Sequence, residues 1–126
     1  MRELREDEVT FSLEIEPEET PIRGNVLASD DDEEDRKAEC EVLRQLERGN
    51  PWAWCSVIVL AVYTLPGGEE LWGWDCLGGC SYADEADFRK GGYFEDMKAE
   101  ALADLQRRIE ALIERGRFLA AHFSAL

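Results

Sequence analysis

Four cysteines and one histidine are the residues of this chain best equipped for chemistry, and their spacing argues against most of it. Cys76 and Cys80 stand as C-x-x-x-C, not as the C-x-x-C of a zinc knuckle or redox pair, and His122 lies far away in sequence. The start, Met1-Arg2-Glu3-Leu4-Arg5-Glu6-Asp7, has no apolar core or cleavage pattern, so no signal peptide is expected and the expected location is the cytoplasm. Cys40, Cys55, Cys76 and Cys80 are then expected as reduced thiols packed as small hydrophobes. A hydrolytic triad would have to recruit His122, which reads as a core or boundary residue of an apolar helical stretch. The glycine pairs at 67–68, 78–79 and 91–92 match neither a Walker nor a dinucleotide pattern and read as turns. The expectation is therefore no catalytic residue, no metal and no cofactor.

The carboxylates carry a stronger signal. There are 29 Asp and Glu against 14 Lys and Arg, a formal net charge of -15. Residues 1–47 hold 17 acids and 6 bases, a net of -11, whereas residues 48–126 hold 12 and 8, a net of -4. A field this one-sided repels nucleic acid and anionic membranes and attracts basic surfaces of the kind that hold DNA or RNA. A helix from Asp30 to Glu47 would span ~27 Å, beside which one strand of B-DNA sets about 8 phosphates. The helix offers 9 acids less 3 bases, a net of -6. The candidate partner-binding acids are Glu14, Glu16, Glu18, Glu19, Asp30, Asp31, Asp32, Glu33, Glu34 and Asp35. The same residues also suit a helix N-terminus and solubility. An unbroken acidic run points its side chains all round a helix, so it does not make a calcium loop.

Trp52, Trp54, Trp72 and Trp74 read mainly as core, because a base-stacking platform needs a basic groove; one left exposed would anchor a protein interface. The elements that position these groups follow from periodicity. Val9, Phe11, Leu13 and Ile15 alternate with polar residues, which predicts a half-buried strand ended by Pro17. Ser29 or Asp30 is expected to cap a helix with Ala38, Val42, Leu43 and Leu46 on its apolar face, stopped by Gly49-Asn50-Pro51. Trp52–Leu65 and Glu70 to about Leu77 predict a hairpin around a two-residue Gly67-Gly68 loop, which would oppose Tyr63 to Trp72 and Ala61 to Trp74. Both faces of that hairpin are apolar, leaving one for helices and the other for loops or a partner, a second copy of the chain included. A helical turn over Asp84–Arg89 precedes the longest helix, whose stripe is Phe94, Met97, Ala101, Leu102, Leu105, Ile109, Leu112 and Ile113. Glu100, Asp104, Arg107, Arg108 and Glu110 fall largely on its solvent side. Gly116 ends or weakens it, and Phe118, Leu119, His122, Phe123 and Leu126 continue the spacing.

The runs Pro21-Ile22-Arg23-Gly24-Asn25, Trp52-Ala53-Trp54, Leu77-Gly78-Gly79-Cys80-Ser81-Tyr82 and Gly91-Gly92-Tyr93-Phe94-Glu95-Asp96-Met97 resemble a group of small proteins encoded by bacteriophages and prophages. The resemblance covers residues 20–105. It implies no activity and no functional residue; it implies a setting in which proteins of this size bind and block host factors.

The expected fold is α+β: an antiparallel sheet of about three strands with two main helices packed on one face, in the order β-α-β-β-α. One domain of residues 1–126 is expected, with 1–8 a flexible acidic arm and 117–126 a C-terminal helical extension. The expected function is that of a non-enzymatic phage or prophage protein, a DNA-mimic-like inhibitor or counter-defence factor, occupying a basic surface of a host protein. The alternative is an accessory or structural interaction protein whose acidity serves only solubility. Neither a nucleic acid nor a membrane is an expected partner; the longest apolar run, Val57–Val62, is far short of the ~20 residues that span a bilayer.

Overall fold

The computed structural model describes residues 1–124. In chain order they form strand β1 (Thr10–Pro17), helix α1 (Asp32–Glu47), strands β2 (Cys55–Thr64) and β3 (Glu70–Cys80), a short helix α2 (Glu85–Lys90) and a long helix α3 (Tyr93–Ser124). The strands make one antiparallel sheet in the order β1-β2-β3, and with two main helices the architecture is the α+β arrangement expected. No helix among the described residues is long and apolar enough to cross a membrane. Leu126, placed by its spacing on the last helix, lies outside the described residues.

Two compact units divide the chain. One comprises Met1–Ser12, Val59–Asp75 and the chain from Met97; the other comprises Leu13–Ile58 and Cys76–Asp96. In the second, α1 is capped by Asp31 rather than by Ser29 or Asp30, because the Asp31 carboxylate accepts from the Glu33 and Glu34 N–H groups. It ends in paired reversed bonds, Gly49 N–H to Leu46 C=O and Asn50 N–H to Gln45 C=O, both 3.0 Å, which close a Schellman motif. Val42, Ala53, Trp54, Cys55, Val57, Cys80 and Phe88 are buried. The Phe88 ring sits 5.2 Å from Tyr82 and 5.8 Å from Trp52. The Trp54 indole N–H donates to the Thr20 carbonyl at 2.8 Å, satisfying the one polar atom of a buried ring.

In the first unit the hairpin departs from the expected loop. Leu65 N–H donates to Glu69 C=O and Gly68 N–H to Leu65 C=O, both at 2.8 Å, with Gly68 at φ +91°. The connection is therefore a four-residue turn closed by a bulge, whose left-handed position suits glycine. The extra residue slides the pairing by one, so Ala61 opposes Gly73 rather than Trp74, and Tyr63 opposes Leu71 rather than Trp72. A one-residue slip turns every side chain of the strand over. Trp72 and Trp74, expected in the core, are exposed, while Gly73 is buried.

Gly73 makes room for α3. A Cβ at this position would lie 2.6 Å from Leu105 Cα, inside contact distance of a backbone that cannot step aside. Leu105, Met97, Ala101, Val59 and Ala61 are buried in the same unit. Asp104, expected on the solvent side of α3, is instead turned to the sheet edge. Its Oδ2 accepts from the Trp74 N–H at 3.0 Å and from Arg108 Nε at 2.8 Å, and its side chain is only 21% exposed. The Arg108 guanidinium lies 3.9 Å over the Trp74 ring. An outward N–H of edge strand β3 is thereby covered. Gly116 does not end α3, which runs through it to Ser124.

Gly73→Ala should cost about 1–3 kcal/mol, because the methyl group forces helix and strand apart, whereas Gly116→Ala should stabilise by up to about 1 kcal/mol in an open helix position; denaturant midpoints of both variants decide it. Asp104→Ala should destabilise by about 1–2 kcal/mol through loss of the charge-assisted bonds to the Trp74 N–H and Arg108, as read by the same titration, well above the shift of a surface acid.

Candidate functional site

The ten candidate acids all fall in the unit built from Leu13–Ile58 and Cys76–Asp96. Eight of them, Glu14, Glu16, Glu19, Asp30, Asp31, Asp32, Glu33 and Glu34, are exposed. Glu14 and Glu16 lie on the wet face of β1, where strand alternation puts them. Asp30 to Glu34 crowd the start of α1, where unpaired N–H groups and the helix dipole favour negative charge. Lys37 reaches back to Glu34 at 3.4 Å and to Glu33 at 3.8 Å. Among the described residues no cation lies within 4.0 Å of Glu14, Glu16, Glu19, Asp30, Asp31 or Asp32.

Two of the ten serve the fold instead. Asp35 is buried and accepts from the Ser29 hydroxyl at 2.6 Å and the Ser29 N–H at 3.1 Å. Helical periodicity turns it inward from the acidic run, so it is not a surface residue. Glu18 is half-buried, and its Oε2 accepts from the Gly79 N–H at 2.7 Å and the Ser56 hydroxyl at 2.8 Å, while Oε1 accepts from the Thr20 N–H at 3.1 Å. The Gly79 N–H first, then Thr20 and Ser56, bring its carboxyl down to about 2. This clip fits because Gly78 has no side chain; a Cβ there would stand 3.1 Å from the Glu18 oxygen.

A third acid that the sequence reading passed over does the same. Glu39 is buried on α1 and accepts from the Gly24 N–H at 2.7 Å and from Arg36 at 2.9 Å. The Gly24 N–H is the main reason its carboxyl is held below the usual range, with burial working against it. Asp35 and Glu39, four residues apart and so on one face of α1, pin the 22–31 segment to the helix at Ser29 and Gly24. That i, i+4 spacing was the available signal.

Cys55 and Cys80 are buried and Cys40 and Cys76 exposed. Burial, with Cys80 and Glu18 nearby, pushes the Cys55 thiol up to about 11, and burial likewise raises Cys80. Both stay protonated at neutral pH and make poor nucleophiles. Among the described residues no group of three or more His, Cys, Asp or Glu is placed to hold a metal ion. His122 is exposed, not a core residue, with Phe118 stacked at 6.4 Å and Phe123 edge-on at 4.9 Å. Comparison with known proteins gives no matching family model, no matching curated protein and no matching solved structure.

The depressed Glu18 carboxyl stabilises the fold above its ordinary value near 4.5, and that stability drains away as pH falls towards about 2. Glu18→Gln removes this dependence. Thermal midpoints measured between neutral pH and pH 2 should fall less steeply for the variant than for the parent chain, and parallel curves would show that the clip contributes nothing.

Proposed function

We propose that this chain is a non-enzymatic binding protein of the phage or prophage kind, and that its acidic surface occupies a basic, nucleic-acid-binding-type surface on a host protein. The supporting observation is the set of eight exposed carboxylates on β1 and at the start of α1, six of them without a cation in ion-pair range among the described residues. On this reading the carboxylates stand where phosphates otherwise sit, and the binding is competitive with nucleic acid. A second reading, acidity for solubility and helix stability alone, draws on the Asp31 cap and on the Lys37 pairs with Glu33 and Glu34.

Reversing Asp30, Asp32 and Glu34 to Lys separates the two, with Asp31 spared because it caps α1. The immobilised parent chain should retain proteins from a bacterial lysate that are released by added double-stranded DNA. Retention should also weaken as salt rises towards 1 M, where screening shortens to ~3 Å. The variant should retain none of them while losing no more than about 1–3 kcal/mol at its helix N-terminus. Retention that ignores DNA, or survives the charge reversal, would leave solubility as the better reading.

A further inference from the structure

The face by which α3 meets β3 continues beyond the sheet with nothing over it. Leu105, buried against Gly73, and half-buried Ile109 are followed at steps of three and four by Leu112, Gly116, Leu119 and Phe123. Every described residue from Ala111 to Ser124 is exposed, with Leu112, Leu119 and Phe123 at 58%, 40% and 62%. The near end of this stripe opens into a groove of about 520 Å³ beside Leu71 and Trp72. A helical end with nothing packed on it draws no stability from tertiary burial. Its strict three-four repeat is the narrow seam of a helix pair, not the broad stripe of a helix lying on a sheet.

We propose that the seam pairs with the same seam of a second copy, the two α3 helices running antiparallel to make a homodimer. The area is of the right order. Trp72, Leu112, Ile113, Leu119 and Phe123 leave roughly 500 Å² of apolar surface open per copy. The stems of Arg108 and Arg115 carry the footprint towards the ~800 Å² per partner of a specific interface. The charge pattern selects the occupant. Residues 107–124 carry Arg107, Arg108, Arg115 and Arg117 against Glu110 and Glu114, a net of +2 in a chain of -15, which leaves -17 on the rest. Of the 29 acids in each copy, this stretch brings only Glu110 and Glu114 to the contact. Antiparallel pairing also opposes the dipoles of the two helices. An anionic membrane, the other common partner of a basic amphipathic helix, is repelled by the same -17. Because both sides present one patch, the contact is isologous and closes at two copies.

Sedimentation equilibrium of the full chain should return about 29 kDa, twice 14.4 kDa, at ~100 µM protein. The association should tighten as salt rises, because screening relieves like-charge repulsion. Binding to a basic partner weakens with salt, so the dimer and the acidic-surface reading fail separately. Leu119→Asp with Phe123→Asp should weaken association ~100-fold or more. Cooperative unfolding of that variant as a monomer shows that it still folds, since both positions are exposed within one copy. Leu43→Asp, an exposed apolar position on α1, should leave the dimer intact. A 14.4 kDa species at every concentration, a dimer that survives the double substitution, or monomer binding to vesicles of anionic lipid would each overturn the proposal.

Discussion

An ionised carboxylate can only accept hydrogen bonds, and this chain has 29 of them against 14 Lys and Arg. Ion pairing cannot satisfy them all, and a carboxylate drawn out of water without donors is costly. The structure resolves this with backbone N–H groups. Glu18 takes Gly79 and Thr20, Asp35 takes Ser29, and Glu39 takes Gly24. Asp31 caps α1, Asp84 accepts from Asp87 and Asp87 from Ala83, and Asp104 takes Trp74 at the sheet edge. The segments so fastened, around 18–31 and 81–84, have few apolar side chains of their own. Charge-assisted bonds to neutral donors hold what hydrophobic burial does not.

The parts of this architecture that repeat were legible in the sequence. Strict alternation from Val9 to Ile15 gave β1, the Gly49-Asn50-Pro51 stop gave the end of α1, and three-four spacing gave the core of α3 at Met97, Ala101 and Leu105. What failed depended on a single residue or on partners distant in sequence. Gly67-Gly68 fits a two-residue loop as well as it fits a turn with a bulge, and only the Leu65–Glu69 hydrogen bond distinguishes them. That one choice decides whether Trp72 and Trp74 face inward. Asp104 was misplaced because a helical wheel assigns acids to solvent and cannot see a strand edge thirty residues earlier in the chain.

The candidate site shows the same limit. Composition located the acidic stretch, and strand alternation exposed Glu14 and Glu16 as expected. Within Asp30–Asp35 the last residue is a buried anchor and the first five are exposed. Charge counting treats all six alike. The difference lies in Ser29, whose hydroxyl and N–H meet Asp35 once Asp31 has capped the helix.

Burying an acid against a neutral N–H removes it from the contact surface but leaves its charge in place. Glu18 and Glu39, with carboxyls held low, stay ionised well below neutral pH. Residues 1–47 therefore keep their net of -11 as a long-range field, although only the exposed carboxylates can touch a partner. The two roles fall on overlapping sets: all 17 acids of this region contribute to the field that any approaching charge meets, and the 13 exposed ones can also make contact. A field strong enough to attract a basic partner also keeps copies of the chain apart. Association between them is opposed least along a stretch that carries little of that charge, and the apolar end of α3, with four arginines against two glutamates over 107–124, is such a stretch. The uneven distribution of charge along the chain thus permits an acidic surface for one kind of partner and an apolar seam for another without the two competing.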